Sequence, residues 1–217
     1  MWIIAASLLS IQVGRTAPLG PEGVPSAFRK HHVEGPVKVG RLGLGGDEQA
    51  DLRVHGGPEK AVYAYSAAHY AAWAEEYPQH QEKFVAGGFG ENLTVEGILE
   101  RDLCVGDVHR IGSAVLQVCQ PRQPCFKLAL SFDNRLPKAM VRNGRAGWYY
   151  RVLEDGQIEA GDAIHLHDRP HPDFSFDRLI QIVNFGHASR DELRAMAAMN
   201  GLASRLRARA TAALSSA

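Results

Sequence analysis

The sequence predicts a mainly β protein of the α+β class, with a body over residues 1–170 and a small helical appendage over 171–217. Three observations predict it. Glycine (22 residues) and proline (11) occur at a density that favours tight turns and short strands over long helices. Between these turns run short alternating, β-branched or aromatic stretches, such as 114–119 and 148–153. After Arg169-Pro170-His171-Pro172, which reads as a linker, the apolar period becomes helical.

Composition narrows the function classes. A chain of 217 residues is long enough to bury a core without staples. It is 45% hydrophobic and 22% charged, as in ordinary globular proteins. The formal net charge is +0, which gives no bulk electrostatic case for nucleic acid or an anionic membrane. Three widely spaced cysteines do not make a disulfide framework, so reduced thiols and a cytoplasmic location are expected. The apolar start, residues 1–9, has no basic flank and is too short to span a bilayer, so it reads as part of an opening strand over 1–13.

Residues 14–36 read as a long Gly/Pro loop. A glycine cluster follows, Gly40-Arg41-Leu42-Gly43-Leu44-Gly45-Gly46-Asp47. It lacks the Gly-Lys-Ser/Thr of a phosphate loop, and it reads either as a bulged turn or as a backbone close to a ligand. Val54-His55-Gly56-Gly57-Pro58-Glu59-Lys60 leads into a strand over 61–65. Ser66 is expected to N-cap a helix that Pro78 stops, with Tyr70, Trp73 and Tyr77 as a core-facing stripe and His69 beside it. Gly87-Gly88-Phe89-Gly90-Glu91-Asn92 turns into another strand. Strands over 103–111 and 114–119 form a hairpin around Gly112-Ser113. Cys104 and Cys119 read as structural.

A short helix is expected over 136–142, an aromatic strand over 148–153, and a turn at Asp155-Gly156 before a strand through Ile164 and Leu166. His165 and His167 share a strand face, but nothing completes a metal set with them and His171, so they read as surface histidines. In the tail, Leu179, Ile182 and Val183 form one apolar face. Ser189 to Glu192 is a capping box, and Asn200-Gly201 separates the last helix. Arg205, Arg207 and Arg209 on that helix invite a DNA-binding reading, against which the neutral net charge weighs. A partner-docking or dimerising appendage, and with it a homodimer, is the stronger expectation.

The stretch that concentrates chemistry is Gln120-Pro121-Arg122-Gln123-Pro124-Cys125-Phe126-Lys127. Its prolines stiffen the backbone and suggest a segment outside any sheet ladder. Cys125 lies between Arg122 and Lys127, which biases the thiol toward thiolate. Burial as a small hydrophobe is the bland alternative. Arg53, Lys60, Arg122 and Lys127 flank the glycine turns, and cations with exposed amides suit a phosphate or another anion.

Together these blocks resemble the MOSC-domain family, relatives of the C-terminal domain of molybdenum-cofactor sulfurase. The blocks are Gly43 to Asp51, Val54-His55-Gly56-Gly57-Pro58, Phe89-Gly90-Glu91-Asn92-Leu93 and Gln120 to Leu128. Within the family the chain looks closest to the stand-alone bacterial YiiM type, which reduces 6-hydroxylaminopurine. Its tail segment Asn200-Gly201-Leu202-Ala203-Ser204-Arg205 is similar to that type's three-helix region. The resemblance implies a β-barrel that binds the molybdenum cofactor (molybdopterin with Mo), and Cys125 as the metal ligand. It also implies two-electron reduction of an N-hydroxylated small molecule to its amine. Arg122, Lys60, Gly56 and Gly57 are then expected on the pterin or its phosphate. Asn92 and Asp47 would orient cofactor or substrate, and His55 would bind cofactor or supply a proton. The electrons would come from a separate flavin or iron–sulfur reductase. Two alternatives stay open: a sulfur- or acyl-transfer enzyme with Cys125 as nucleophile and His55 as base, and a non-catalytic cofactor carrier.

Overall fold

The computed structural model describes residues 6–51 and 55–215. Residues 1–5 of the expected first strand, and Arg53 and Val54 of the cation and His-Gly-Gly blocks, lie outside the described residues. The strands among the described residues are thirteen: β1 (Ala6–Val13), β2 (Ala17–Leu19), β3 (Val24–Ser26), β4 (His31–His32), β5 (Val37–Gly40), β6 (Gly43–Leu44), β7 (Val62–Ser66), β8 (Leu93–Glu96), β9 (Val108–Ile111), β10 (Ala114–Pro121), β11 (Trp148–Glu154), β12 (Gly156–Ile158) and β13 (Ala163–Asp168). Six helices accompany them: α1 (Ala68–Glu76), α2 (Phe126–Ser131), α3 (Arg135–Asn143), α4 (Phe176–Phe185), α5 (Arg190–Ala198) and α6 (Ser204–Ser215).

The main sheet runs β13-β9-β10-β11-β7-β8-β1, and β1 pairs back onto β13 through Ala6↔Ile164 and Ser7↔Ala163. Seven strands therefore close into a barrel, with no free edge between them. The β7–β8 pair is parallel, and its crossover carries α1. Inward residues such as Leu8, Ile11, Leu93, Ile111 and Leu116 fill the barrel. A second cluster outside it holds Tyr65, Trp73, Phe89, Leu128, Leu136 and Met140. Phe89 stacks on Tyr65 with centroids 4.5 Å apart. This aromatic cluster lies under α2 and α3, and so fixes the cysteine-bearing stretch that enters α2. No helix among the described residues is long and apolar enough to cross a membrane.

Several local expectations change. The 14–36 loop contains the β2–β3 hairpin and β4. β10 runs through Pro121, which pairs with Trp148, so the proline stretch starts inside the ladder. Strand β9 begins only at Val108, because Asp107 turns the preceding chain by accepting from the Cys104 N–H at 2.9 Å. Ser66 ends β7, and Ala67 takes the α1 cap position without a side-chain bond. Strand pairing with β8 draws Ser66 into the sheet and overrides its capping preference. The Tyr70, Trp73 and Tyr77 stripe does pack inward, and His69 is buried against Glu100 at 2.8 Å. The Ser189–Glu192 capping box forms with both reciprocal bonds. Apolar residues of the tail (Phe176, Leu179, Met196, Leu206) belong to the same cluster as the barrel interior.

Candidate functional site

Asp47 after the first glycine cluster, the His55-Gly56 and Gly90 turns and the cysteine stretch meet at one cleft, while Gly40, Gly43 and Gly45 line a separate depression. The cleft encloses about 670 Å³ counted out to its open mouth. Asp47, His55, Gly56, Lys60, Asn92, Arg122 and Cys125 all line it. Gly57 is adjacent but does not line it. Phe28, Lys30, Tyr63, Phe89, Lys127 and Tyr149 complete much of the wall.

Cys125 stands at the N-terminus of α2 in extended conformation, held from below by Leu128 in the aromatic cluster. Burial pushes its thiol up. A hydrogen bond from His55, the charge of Arg122 and the Lys127 backbone N–H outweigh that and bring it down to about 7. Half the thiol is then ionised near neutrality. Lys127 contributes through its backbone, because its ammonium turns away to the Pro25 carbonyl at 2.9 Å.

Arg122 is only 4% exposed. Its guanidinium lies 5.5 Å from the Tyr63 ring centroid and donates to Met140 Sδ at 3.3 Å. No carboxylate pairs with it among the described residues. It faces Cys125, Tyr63 and Tyr149 instead, whose charges favour its protonated form, and a guanidinium not committed to a carboxylate is suited to receive an anion. Lys60 lies over the Tyr149 ring, 6.0 Å from its centroid. Burial, and then the charge of Arg205, push its ammonium below the ordinary value.

Asp47 and Asn92 have a different place. One Asp47 oxygen accepts from Gly14 N at 2.7 Å and Lys30 Nζ at 2.5 Å, and the other accepts from Asn92 Nδ2 at 2.8 Å. Asn92 also donates to the Gln12 carbonyl and accepts from Tyr63 N. Their polar atoms bind the loops of Gly14, Lys30, Asp47 and Asn92 together beside the cleft. Glu91, beside Asn92, is fully buried and accepts from Gly87 N and Phe89 N at 2.9 Å each. It shapes the turn that presents Phe89 and Gly90.

Gly56 and Gly57 have φ of 96° and 80°, where a side chain is strained. A Cβ on Gly57 would meet nothing within 4 Å, so its backbone faces open space. The cleft thus combines an activated thiol, a buried guanidinium with no carboxylate partner among the described residues, an ammonium and the Gly56 backbone. That set fits an anionic, phosphate-bearing cofactor with a soft metal. By contrast Cys104 and Cys119 are pushed up by burial, and His165 and His167 are exposed on β13. The motifs missed Tyr63, Tyr149, Phe28 and Lys30. Tyr63 and Tyr149 were visible only as strand aromatics, and nothing in the sequence sets Lys30 against Asp47.

Fold and site together define a closed-barrel protein that gathers cations and an activated thiol in one cleft. The chain belongs to the MOSC-domain family: the MOSC domain model matches residues 51–165. It is 45% identical to protein YiiM of Escherichia coli over 150 residues, 69% of this chain and 67% of that one. A Gibberella moniliformis protein named reductase is 39% identical over 186 residues; the match covers 84% of this chain and only 33% of that longer protein. The crystal structure of YiiM from Geobacillus stearothermophilus matches with a TM-score of 0.81 and 33% identity, over 96% of this chain and 99% of that one. The barrel implied by the family blocks is thus the observed fold.

Proposed function

We propose that the protein is a molybdenum-cofactor-dependent oxidoreductase that reduces N-hydroxylated compounds, hydroxylaminopurines among them, to amines. The observation that carries the reading is Arg122, buried without a carboxylate partner beside a thiol lowered to about 7. Family membership and a relative named reductase support it. Cys125 would hold the metal, while Arg122, Lys60 and the Gly56-Gly57 backbone would hold the anionic pterin. Bound there, the cofactor supplies two electrons for R–NHOH + 2e⁻ + 2H⁺ → R–NH₂ + H₂O.

The chain's residues do the rest. His55, Arg122 and the Lys127 N–H favour the thiolate of Cys125. His55, hydrogen-bonded to the thiol, would hold a proton that the reaction consumes. Asp47 and Asn92 keep the loops at fixed separation. Phe28, Phe89, Tyr63 and Tyr149 line the cleft, so an aromatic wall would face a planar heteroaromatic substrate. The electrons require a donor protein carrying flavin or an iron–sulfur centre, and a cytoplasmic location fits the three free cysteines.

Metal and pterin analysis tests the reading. Protein from a cofactor-competent host is expected to carry stoichiometric molybdenum, and Cys125→Ala none. Full activity in molybdenum-free protein sinks it. The His55–Cys125 hydrogen bond also fits a nucleophilic thiol with its base. That second reading, sulfur or acyl transfer, predicts a covalent adduct at Cys125 in metal-free protein.

A further inference from the structure

The C-terminal helices contribute no residue to the cleft, yet they are tied to both of its walls. At one wall, Glu59 sits between Gly57 and Lys60. Its carboxylate accepts from Ser204 N at 2.9 and 3.0 Å, from Ser204 Oγ at 2.8 Å and from Arg151 Nη2 at 3.1 Å. Arg151 also donates to the Asn200 and Leu202 carbonyls. Ala203 N donates to the Cys119 carbonyl at 2.9 Å, which anchors the start of α6 on β10.

At the other wall, Gln123, between Arg122 and Cys125, donates from Nε2 to Asn184 Oδ1 on α4 at 3.0 Å. Asn184 in turn donates to the Val141 carbonyl of α3 at 2.8 Å. The two ties are independent: they use different helices and reach the segments that carry Lys60 and Arg122. The His55–Cys125 hydrogen bond spans the gap between those segments. A free docking appendage has no need of ties at these two positions.

We infer that the C-terminal three-helix unit is a brace, with Ser204 and Asn184 as positioning residues that fix the Lys60 segment and the Cys125 stretch relative to each other. The brace acts on the cleft whichever group fills it. It makes the tail part of the site's architecture, and leaves a docking role as secondary.

Both ties can be cut from the tail side. Ser204→Pro removes the N–H and the hydroxyl together, and proline is tolerated at a first helical position, so α6 is kept. Asn184→Ala removes the second tie. Amide hydrogen exchange on full-length, cofactor-free protein is the readout, so the result does not depend on molybdenum. Ser204→Pro is expected to speed exchange over residues 56–61 at least tenfold, and Asn184→Ala to do so over 122–127. Ser204→Thr, which keeps both donors, should behave as wild type. Glu76→Gln, which breaks the Arg145 pair on α1, should leave both segments unchanged. In cofactor-loaded protein the double variant should retain several-fold less pterin. Wild-type exchange in both cleft segments, with or without faster exchange in the tail, overturns the brace.

Discussion

Cys119 and Cys125 lie on one continuous stretch, the first inside β10 and the second just beyond Pro124. Each has an arginine nearby, yet their thiols diverge. Cys119 is sealed in the interior, donating toward the Glu59 and Tyr149 carbonyls, and burial drives it up to about 12. Its neighbour Arg151 is committed to Glu59 and to tail carbonyls. Cys125 meets the cleft, a histidine and an arginine with no carboxylate, and it falls to about 7. A cation near a cysteine therefore decides little. Arg151 also pulls the Cys119 thiol down, but complete burial outweighs it, whereas Cys125 is less buried and has a histidine bond as well as an arginine.

The largest contrast should appear on removing each thiol. Cys125→Ala is expected to reduce molybdenum content and reductase turnover to background, while Cys119→Ala keeps both within about twofold; metal analysis and steady-state rates check this. Arg122→Met comes next, because it keeps volume but deletes the charge beside Cys125. Pterin retention should fall by about 10–100-fold. The pH midpoint for alkylation of Cys125 should rise by roughly one unit. Arg122→Lys should restore only part of either effect, since a lysine cannot reproduce the planar fork.

Alkylation of the native, cofactor-free protein separates the two thiols directly. Iodoacetamide should label Cys125 half-maximally near pH 7, and leave Cys119 unlabelled through pH 10. Mass spectrometry of the digested protein reads both sites. Equal labelling at neutral pH would end the distinction.

How much of this contrast was legible follows from what each signal encodes. The cysteine that follows two prolines, the glycine turns and the helical period of the tail are local, and the structure carries all three. The closure of β1 onto β13 is not local: it depends on a pairing between the first and last barrel strands that no turn motif records. Cys119 was readable as structural from its place on an alternating strand. The placement of Lys127 was not, because chain proximity suggested its charge while the folded chain turns the ammonium to Pro25. Asp47 and Asn92 were found through their glycine blocks. Only the folded loops show that their polar atoms are spent on Gly14, Lys30, Gln12 and Tyr63. The ties from Ser204 and Asn184 were invisible, since a serine at a helix start and an asparagine near a helix end look like ordinary caps.

The smallest effect is the stability each thiol contributes, and its sign differs between them. Cys119 keeps its proton in the native state to about 12, whereas the unfolded chain releases it near 9. Its contribution is therefore complete below pH 9 and is lost as pH rises from 9 toward 12. Cys125 has the opposite sign. The native thiol is already ionised above about 7 while the unfolded one is not, so its contribution grows from pH 7 to 9 and is absent below 7. Urea unfolding across this range should give a wild-type profile that rises and then falls. Cys125→Ala should flatten the rise and Cys119→Ala the fall. At neutral pH, Cys119→Ala should cost about 1 kcal/mol, the scale for deleting one buried methyl-sized group. A fall that persists above pH 9 in Cys119→Ala would assign it to another group, such as the buried Tyr150 hydroxyl, whose proton burial also holds.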